Sequence, residues 1–218
     1  MSLSLLIRVV LFLGGTAAIV FGSAGRFDLP FLWVFFGVVV AAGLIGLVVM
    51  DRGLLRERTK PGPGGTDRRL RFVVLPFFAG LLVVAGLDAG RFHWSHLPPW
   101  VQILALVAVA AGYGLSGWAI SVNRFYSPVV RIQTDRGHQL ITSGPYAWIR
   151  HPGYAGSLLA ILATGPALGS WWALLPACAT VALLLRRVRI EDRFLHDHLD
   201  GYPAYARRVR YRLVPGLW

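Results

Sequence analysis

Long apolar runs separated by short polar segments dominate the chain. Four of these runs contain no Asp, Glu, Lys or Arg: residues 9–25, 29–50, 72–87 and 97–123. A transmembrane helix needs roughly 20 apolar residues, and several of the runs are long enough to cross a bilayer. The pattern predicts four membrane helices, over about residues 4–23, 30–50, 71–88 and 99–122.

A fifth uncharged run, residues 151–185, is too long for one membrane crossing and is interrupted by "GPALGS" at 165–170. A helical hairpin fits it better, with arms over about 153–164 and 171–190. At 1.5 Å per residue the first arm reaches only about 18 Å, short of the roughly 30 Å hydrocarbon core. A turn near residue 167 would bring Glu191 beside Arg150 and His151.

These elements predict an all-α integral membrane protein with four transmembrane helices and a C-terminal helical hairpin, five to six membrane segments in all. A signal peptide is the alternative for the first run. We expect that run to be retained, because no small-residue cleavage site leading into a soluble domain follows it. The composition agrees with a membrane protein: 56% of the 218 residues are hydrophobic, 15% are charged and the mean hydropathy is +0.58.

The net charge of +12 is distributed asymmetrically. If alternate loops share one side of the membrane, 20 of the 22 Lys and Arg residues fall on one side, which the positive-inside rule makes cytoplasmic. We therefore expect an inner or plasma membrane protein with both termini and the 142–156 loop in the cytoplasm. The basic surface would face anionic lipid headgroups. No basic face carrying base-stacking aromatics indicates nucleic-acid binding.

Three other sequence features resemble binding motifs but do not predict a binding site. "GYGLSG" (112–117) matches a dinucleotide-binding pattern, but it lies inside a predicted helix with no preceding strand, so we expect no Rossmann domain. Its small residues suit close helix packing instead. His93 and His96 lack a third ligand, and Cys178 is the only cysteine, so no metal site is predicted.

The segment "TSGPYAWIRHPGYAG" (142–156) is different. Pro152 suits the first turn of a helix, whose N-terminus favours anions. Arg150 and His151 come just before it, and Arg can hold a carboxylate or phosphate with two parallel donors. With Glu191 alongside, such a pocket suits a zwitterion such as an amino-acid group. The alternative is a headgroup anchor with a structural ion pair.

The stretch "GHQLITSGPYAWIRHPGYAG" (137–156), followed by Glu191-Asp192 and "YARRV" (205–209), resembles the isoprenylcysteine carboxyl methyltransferase family. The resemblance covers about residues 120–212. It implies an all-helical membrane fold with S-adenosylmethionine as methyl donor, and Arg150 and Glu191 as catalytic residues. The positions that it implies for cofactor binding are His138, Leu140, Gly144, Pro145, Tyr146, Arg150, His151, Tyr154 and Glu191.

The implied reaction transfers a methyl group to a carboxylate, or a thiol, of an isoprenoid or lipid-like acceptor. The partner would be a lipophilic small molecule or a lipidated acceptor. NADPH-dependent membrane sterol reductases are an alternative, but their pattern has Arg-His-Pro-Asn-Tyr and an early acid. Here Gly153 precedes Tyr154 and no acid occurs before Glu191. A phospholipid N-methyltransferase and a non-catalytic scaffold also remain open.

This interpretation divides the chain into two parts. The first is residues 1–122, containing helices 1–4 and a cytoplasmic linker at 51–71. The second is the catalytic region 123–218, which consists of a cofactor loop (137–156), the hairpin (153–190) and a basic aromatic tail (191–218).

The charge asymmetry yields a test of topology. A tag fused after Trp218 should be cleaved by protease only from the cytoplasmic side, because the loops rich in Arg remain there. Protection in intact cells and cleavage in inverted vesicles would agree with this topology, whereas cleavage in intact cells would contradict it.

Overall fold

The computed structural model describes residues 3–63, 65, 67 and 70–218. Residues 1 and 2 of the predicted first part, and residues 64, 66, 68 and 69 of the predicted linker, lie outside the described residues. The described chain is helical and contains no β-strand. Its helices are α1 (Leu3–Ala24), α2 (Pro30–Val49), α3 (Arg52–Thr59), α4 (Leu70–Leu87), α5 (Pro99–Val122), α6 (Pro152–Ala167), α7 (Leu174–His198) and α8 (Tyr202–Arg208).

Four segments are long and apolar enough to cross a membrane, with mean hydropathies from 1.8 to 2.7. They are Ile7–Ala24, Pro30–Val49, Phe72–Phe92 and Pro99–Val122. The third includes a five-residue π-helical turn, Asp88–Phe92, that continues α4. The prediction of an integral membrane protein with four apolar spanning helices is therefore confirmed.

The boundaries predicted for the four long apolar helices agree with the structure within about one residue, whereas those of the hairpin and the linker differ. The first arm, α6, ends at Ala167 instead of near residue 164, and α7 begins at Leu174 instead of near residue 171. The second arm of the hairpin was expected to end near residue 190, but α7 continues to His198. Its polar last turns stay helical because they bury Val188 and Asp192 against neighbouring segments. The linker also contains a helix, α3, in which the Asp51 side chain accepts a hydrogen bond from the Leu54 amide at 2.8 Å. A carboxylate in this N-cap position stabilises the first turn of a helix.

Helices α5 and α6 approach each other through small residues. A Cβ atom placed on Gly112 would lie 2.5 Å from the carbonyl oxygen of Gly156 and 2.8 Å from the amide nitrogen of Ala160. Ser116, one turn further, donates a hydrogen bond to the carbonyl of Gly153 at 3.0 Å. The expectation that small residues of "GYGLSG" permit close packing is thus confirmed for Gly112, and the contact sets the position of the start of α6.

At the opposite end of the helices, a buried carboxylate ties three segments together. Asp88 accepts hydrogen bonds from the Ser95 amide (2.8 Å), the Ser95 hydroxyl (2.6 Å) and the Ser170 hydroxyl (2.6 Å). Ser170 belongs to the turn of the hairpin and Ser95 to the loop before α5. The hairpin is therefore anchored at its tip as well as along α5.

The close approach at Gly112 predicts a stability difference between two glycines of one helix. Gly112→Ala should lower the melting temperature, because overpacking a close contact costs about 1 to 3 kcal/mol. Gly114→Ala is the matched control, since a Cβ atom there meets no atom within 4 Å. Thermal unfolding of both variants in detergent measures the difference. Equal melting temperatures would show that the α5–α6 contact is not close-packed.

Candidate active site

A cavity of about 300 Å³ lies where the C-terminal end of α5, the start of α6 and the polar part of α7 converge. Helix α8, residue Arg58 of α3 and the loop before α6 complete its wall. Six of its 24 lining residues are Phe or Tyr and five are charged; small-molecule sites commonly combine apolar and aromatic walls with a few polar groups. Its charged and titratable lining residues are Arg58, Tyr126, Arg131, His138, Tyr146, Arg150, His151, Tyr154, Arg187, Glu191, Tyr202 and Tyr205.

The backbone of the 142–156 loop is held by the tail of the chain. The amides of Arg150 and His151 donate hydrogen bonds to the carbonyls of Tyr211 and Arg212, both at 2.9 Å. Pro152 then begins α6, as predicted. The tail therefore fixes the two residues before α6 so that their side chains face α7.

The carboxylate of Asp192 is the centre of the polar contacts in this region. It accepts hydrogen bonds from Arg150 Nε (2.8 Å) and Nη2 (3.1 Å), from the Tyr202 hydroxyl (2.8 Å) and from Arg212 Nε (2.8 Å). His151 Nε2 lies 3.1 Å from the same carboxylate. One buried acid thus joins the loop, α7, α8 and the tail.

The pKa of Asp192 reflects these contacts. Burial alone would raise it, but the hydrogen bonds from His151, Arg150 and Arg212 outweigh burial and hold the pKa well below its usual range. The Asp192 carboxyl is therefore ionised at any physiological pH.

Most of the hydrogen-bond donors of Arg150 bind other groups of the protein. Besides its two contacts with Asp192, its Nη1 donates to the carbonyls of Val209 (2.9 Å) and Arg210 (2.8 Å). The expectation of an Arg150 fork free to hold a ligand anion is therefore not supported, because Asp192 occupies that fork. Arg150 still lines the cavity, but its principal contacts are structural.

Glu191 is separated from that network although it adjoins Asp192 in sequence. Successive residues of a helix point about 100° apart, since one turn takes 3.6 residues. Glu191 lines the cavity and accepts a hydrogen bond from the Tyr154 hydroxyl at 2.7 Å. Arg150 binds the neighbouring Asp192, so an ion pair between Arg150 and Glu191, one of the two roles open to Glu191, is not formed. Glu191 consequently makes no ion pair with a described residue.

Arg187 is a site residue that the sequence interpretation missed. It lies one helical turn before Glu191, lines the same cavity and stands over the Tyr154 ring at 5.9 Å from the centroid. Its Nη2 donates to the Pro128 carbonyl at 2.6 Å and pairs with Asp67 at 3.0 Å, while its Nε makes no hydrogen bond to a described residue. The Arg-x₃-Glu spacing, which puts both charges on one helix face, is the signal that could have found it.

His138, Leu140 and Tyr146 line the cavity as expected, with Phe125 among them. The His138 ring packs on Phe125 with centroids 4.7 Å apart, and its Nδ1 accepts from the Gln133 amide at 3.2 Å. Burial first, then the charges of Arg131 and Arg136, lower the pKa of His138 to about 4. His138 is therefore neutral at physiological pH.

Gly144 and Pro145 do not line the cavity. They form a short 3₁₀ turn, Gly144–Ala147, in which Gly144 has a φ of 58°. This turn places the Tyr146 hydroxyl, which accepts from Asn123 Nδ2 at 3.1 Å. The Tyr205 hydroxyl donates to the Tyr146 carbonyl at 2.7 Å. Gly144 and Pro145 therefore contribute by shaping the turn that contains Tyr146.

Part of the chain is similar in sequence to known proteins. Residues 102–197 match the sequence profile of the isoprenylcysteine carboxyl methyltransferase (ICMT) family. Those residues hold α6, most of α5, nearly all of α7 and the loop between α5 and α6. We call these matched residues, 102–197, the ICMT-family region.

Individual relatives of the ICMT-family region differ in their described activities. The cobalt-zinc-cadmium resistance protein CzcN of Cupriavidus metallidurans is 34% identical over 128 residues, covering 58% of this chain and 56% of the relative. A probable protein-S-isoprenylcysteine O-methyltransferase of Oryza sativa subsp. indica is 32% identical over 119 residues, covering 50% and 59%. The chain thus spans somewhat more than half the length of these relatives.

Two further similarities are less direct. A Delta(14)-sterol reductase of Mus musculus is 35% identical over 88 residues, which cover 38% of this chain but 21% of the reductase. The structure of a eukaryotic intramembrane Ras methyltransferase, an isoprenylcysteine carboxyl methyltransferase, covers 99% of this chain and 87% of its own, with 18% identity and a TM-score of 0.49.

The ICMT-family region does not contain the whole cavity wall. Arg187, Glu191 and the 142–156 loop lie inside residues 102–197, whereas Arg58, Tyr202 and Tyr205 lie outside them. Segments on both sides of the family region therefore help to close the cavity.

The central position of Asp192 predicts a large effect on stability. Asp192→Asn should lower the free energy of unfolding by about 3 to 5 kcal/mol, the cost of removing one partner from a buried ion pair. Asp197→Asn is the control, because Asp197 is exposed on the same helix. Chemical unfolding of both variants in detergent measures the change.

The same experiment has a defined pH dependence. A carboxyl group whose pKa is depressed in the folded state stabilises the protein above its unfolded pKa of about 3.9, and this stabilisation is lost as the pH falls below that value. The stability gap between wild type and Asp192→Asn should be constant from pH 7 to about pH 5 and should shrink only below about pH 4. A gap that closes near pH 6 would contradict the assignment.

Proposed function

We propose that the protein is a membrane-embedded, S-adenosylmethionine-dependent methyltransferase that modifies a carboxylate of an isoprenoid or lipid-like acceptor. The observation that carries the proposal is the pair Arg187 and Glu191 on one face of α7, both lining a cavity beside four apolar helices. The match of residues 102–197 to the ICMT family profile supports the reaction class. A carboxylate acceptor is favoured over a thiol because the cavity contains guanidinium groups.

The residues present fit a methionine-derived cofactor. Its ammonium group suits a carboxylate, and Glu191 offers one that forms no ion pair with a described residue. Its adenine ring suits aromatic walls, which Phe125 and Tyr126 supply. The residues that would hold it are His138, Leu140, Tyr146, His151, Tyr154 and Glu191.

When bound, S-adenosylmethionine supplies an activated methyl group on a sulfonium, which a carboxylate oxygen can accept by in-line displacement without loss of a proton. The reaction therefore needs no general base. The geometry agrees with this requirement, since His151 is occupied by Asp192. Catalysis rests on alignment and exclusion of water.

Arg187 and Glu191 would supply the alignment. Arg187 holds the acceptor carboxylate through its uncommitted Nε, while Glu191, fixed by Tyr154, holds the cationic end of the cofactor. The two groups are one helical turn apart, so their spacing is set by the backbone rather than by mobile loops. Arg150 acts through Asp192 as a positioning residue.

The membrane setting suits a lipophilic acceptor. The cavity lies at one end of the apolar helices, so an isoprenoid chain can remain in the bilayer while its carboxylate reaches Arg187. We place this end in the cytoplasm from the distribution of cations. Exposed Arg residues at the cytoplasmic end of the helices would bind anionic headgroups and hold the site at the membrane surface.

A membrane reductase that uses NADPH is the second candidate, and the similarity to a sterol reductase favours it. Gly153 argues against it. A Cβ atom at this position would lie 2.5 Å from the Tyr126 hydroxyl. The larger residue of the reductase pattern would therefore require a different arrangement of Tyr126 and of the cavity.

Calorimetric titration of the purified protein distinguishes the candidates. S-Adenosylhomocysteine should bind and NADPH should not. Glu191→Gln should weaken the binding of S-adenosylhomocysteine by 10-fold or more, because a charged hydrogen bond to the ligand ammonium is worth about 1.5 to 3 kcal/mol. The control Asp197→Asn, on the exposed face of α7, should bind like wild type.

Binding of NADPH alone would assign the protein to the reductases. Binding of neither compound would contradict an enzymatic role for the cavity. Unchanged affinity in Glu191→Gln would remove Glu191 from the cofactor site.

A further inference from the structure

The linker helix α3 is docked on the cavity by a buried ion pair. Glu57 of α3 accepts hydrogen bonds from Arg131 Nε (2.9 Å) and Nη2 (2.7 Å) and from the Ser127 hydroxyl (2.7 Å). The side chains of Glu57 and Arg131 are only 3% and 4% exposed. A buried two-donor pair of this kind has a fixed geometry, so α3 has a defined position against the loop.

A second contact holds the chain beyond α3. The Val130 amide donates to the Asp67 carboxylate at 2.7 Å, and Arg187 Nη2 lies 3.0 Å from the other oxygen of the same carboxylate. Both contacts connect the linker to segments that line the cavity. The described part of the linker is therefore held against the cavity, and Arg58 is its residue that lines the wall.

Four arginines line the cavity, and three of them form ion pairs with carboxylates of the protein, although Arg187 keeps its Nε without a hydrogen bond to a described residue. Arg131 binds Glu57 and Asp135, Arg150 binds Asp192 and two carbonyls, and Arg187 binds Asp67 and the Pro128 carbonyl. Arg58 of α3 differs. Its guanidinium stands over the Tyr126 ring, 5.2 Å from the centroid, and pairs with no carboxylate or carbonyl of the described residues.

Tyr126, which contacts Arg58, lines the same cavity as Arg187 and Glu191. Burial raises the pKa of the Tyr126 hydroxyl, Arg58 and Arg187 lower it and Glu191 raises it. All three charges therefore act on one hydroxyl group. Arg58 stands on the linker side of that hydroxyl, and Arg187 and Glu191 stand on the α7 side.

On the basis of the proposed function, we propose that Arg58 binds a ligand carboxylate in the cavity and is a specificity-determining residue. A half-buried guanidinium that rests on an aromatic ring and donates no hydrogen bond to a described residue matches a carboxylate by charge and by geometry. The carboxylate can belong to the acceptor or to the methionine part of the cofactor. Arg58 lies outside the family region 102–197, so the linker adds a recognition element to it.

The test uses full-length protein in detergent or nanodiscs and three variants of α3. Arg58→Gln removes the charge, Arg58→Lys keeps the charge but not the two-donor fork, and Arg56→Gln is the control at an exposed position of the same helix. The probes are S-adenosylhomocysteine, N-acetyl-S-farnesylcysteine and its carboxamide. The measurements are calorimetric Kd values, methyl transfer as kcat and KM, and melting temperature.

If Arg58 binds the acceptor, Arg58→Gln should raise the KM for N-acetyl-S-farnesylcysteine by about 10- to 100-fold, the equivalent of one charged hydrogen-bond contact. The Kd of S-adenosylhomocysteine should stay unchanged. The preference for the carboxylate over the carboxamide should fall, and Arg58→Lys should recover part of it. If Arg58 binds the cofactor, the Kd of S-adenosylhomocysteine should rise by the same factor instead.

Melting temperatures within error of wild type are expected for all three variants, since Arg58 makes no hydrogen bond to a described residue. Wild-type KM and Kd values in Arg58→Gln, with active wild-type protein, would overturn the role of Arg58 and leave the proposed function intact. A wild type that binds neither S-adenosylhomocysteine nor the farnesylated carboxylate would overturn both.

Discussion

The buried carboxylate of Asp192 is the interaction on which the candidate site depends. It accepts hydrogen bonds from the loop before α6, from α8 and from the tail. An unpaired buried charge is costly, and each partner offsets part of that cost. The energetic requirement to satisfy one acid therefore brings together segments that are far apart in sequence, and it determines where the wall of the cavity lies.

The neighbouring acid, Glu191, can take a different role for this reason. Asp192 binds Arg150 and His151, the two residues directly before α6, so Glu191 faces the cavity with the Tyr154 hydroxyl as its hydrogen-bond partner. A carboxylate that lines a cavity and forms no ion pair with a described residue is suited to a cationic ligand. Two adjacent acids on one helix thus divide into a structural group and a ligand-facing group because the helix turns about 100° between them.

Two adjacent residues of the linker between α2 and α4 also have different roles. Glu57 forms an ion pair with Arg131, which holds α3 against the loop between α5 and α6. Arg58, the next residue, is left facing the cavity. In both cases a buried ion pair fixes a helix, and the neighbouring residue in sequence, Glu191 or Arg58, lines the cavity with a charge that forms no ion pair with a described residue.

The sequence by itself determined the class of fold and the place of the site. Uncharged apolar runs of about 20 residues are typical of membrane helices, and Pro and charged residues mark their ends, so α1, α2, α4 and α5 were predicted within about one residue. The unusual density of Gly, Pro, Arg and His in 142–156 identified the loop, and Tyr154 and Glu191 do meet there.

Only the tertiary structure decided which charge pairs with which. Local sequence cannot separate Glu191 from Asp192, because a shift of one residue in a hairpin register exchanges their directions. It also cannot show that Arg58 and Arg187, 129 positions apart in number, face one cavity. That arrangement results from long-range ion pairs, whose strength depends on burial produced by the whole fold.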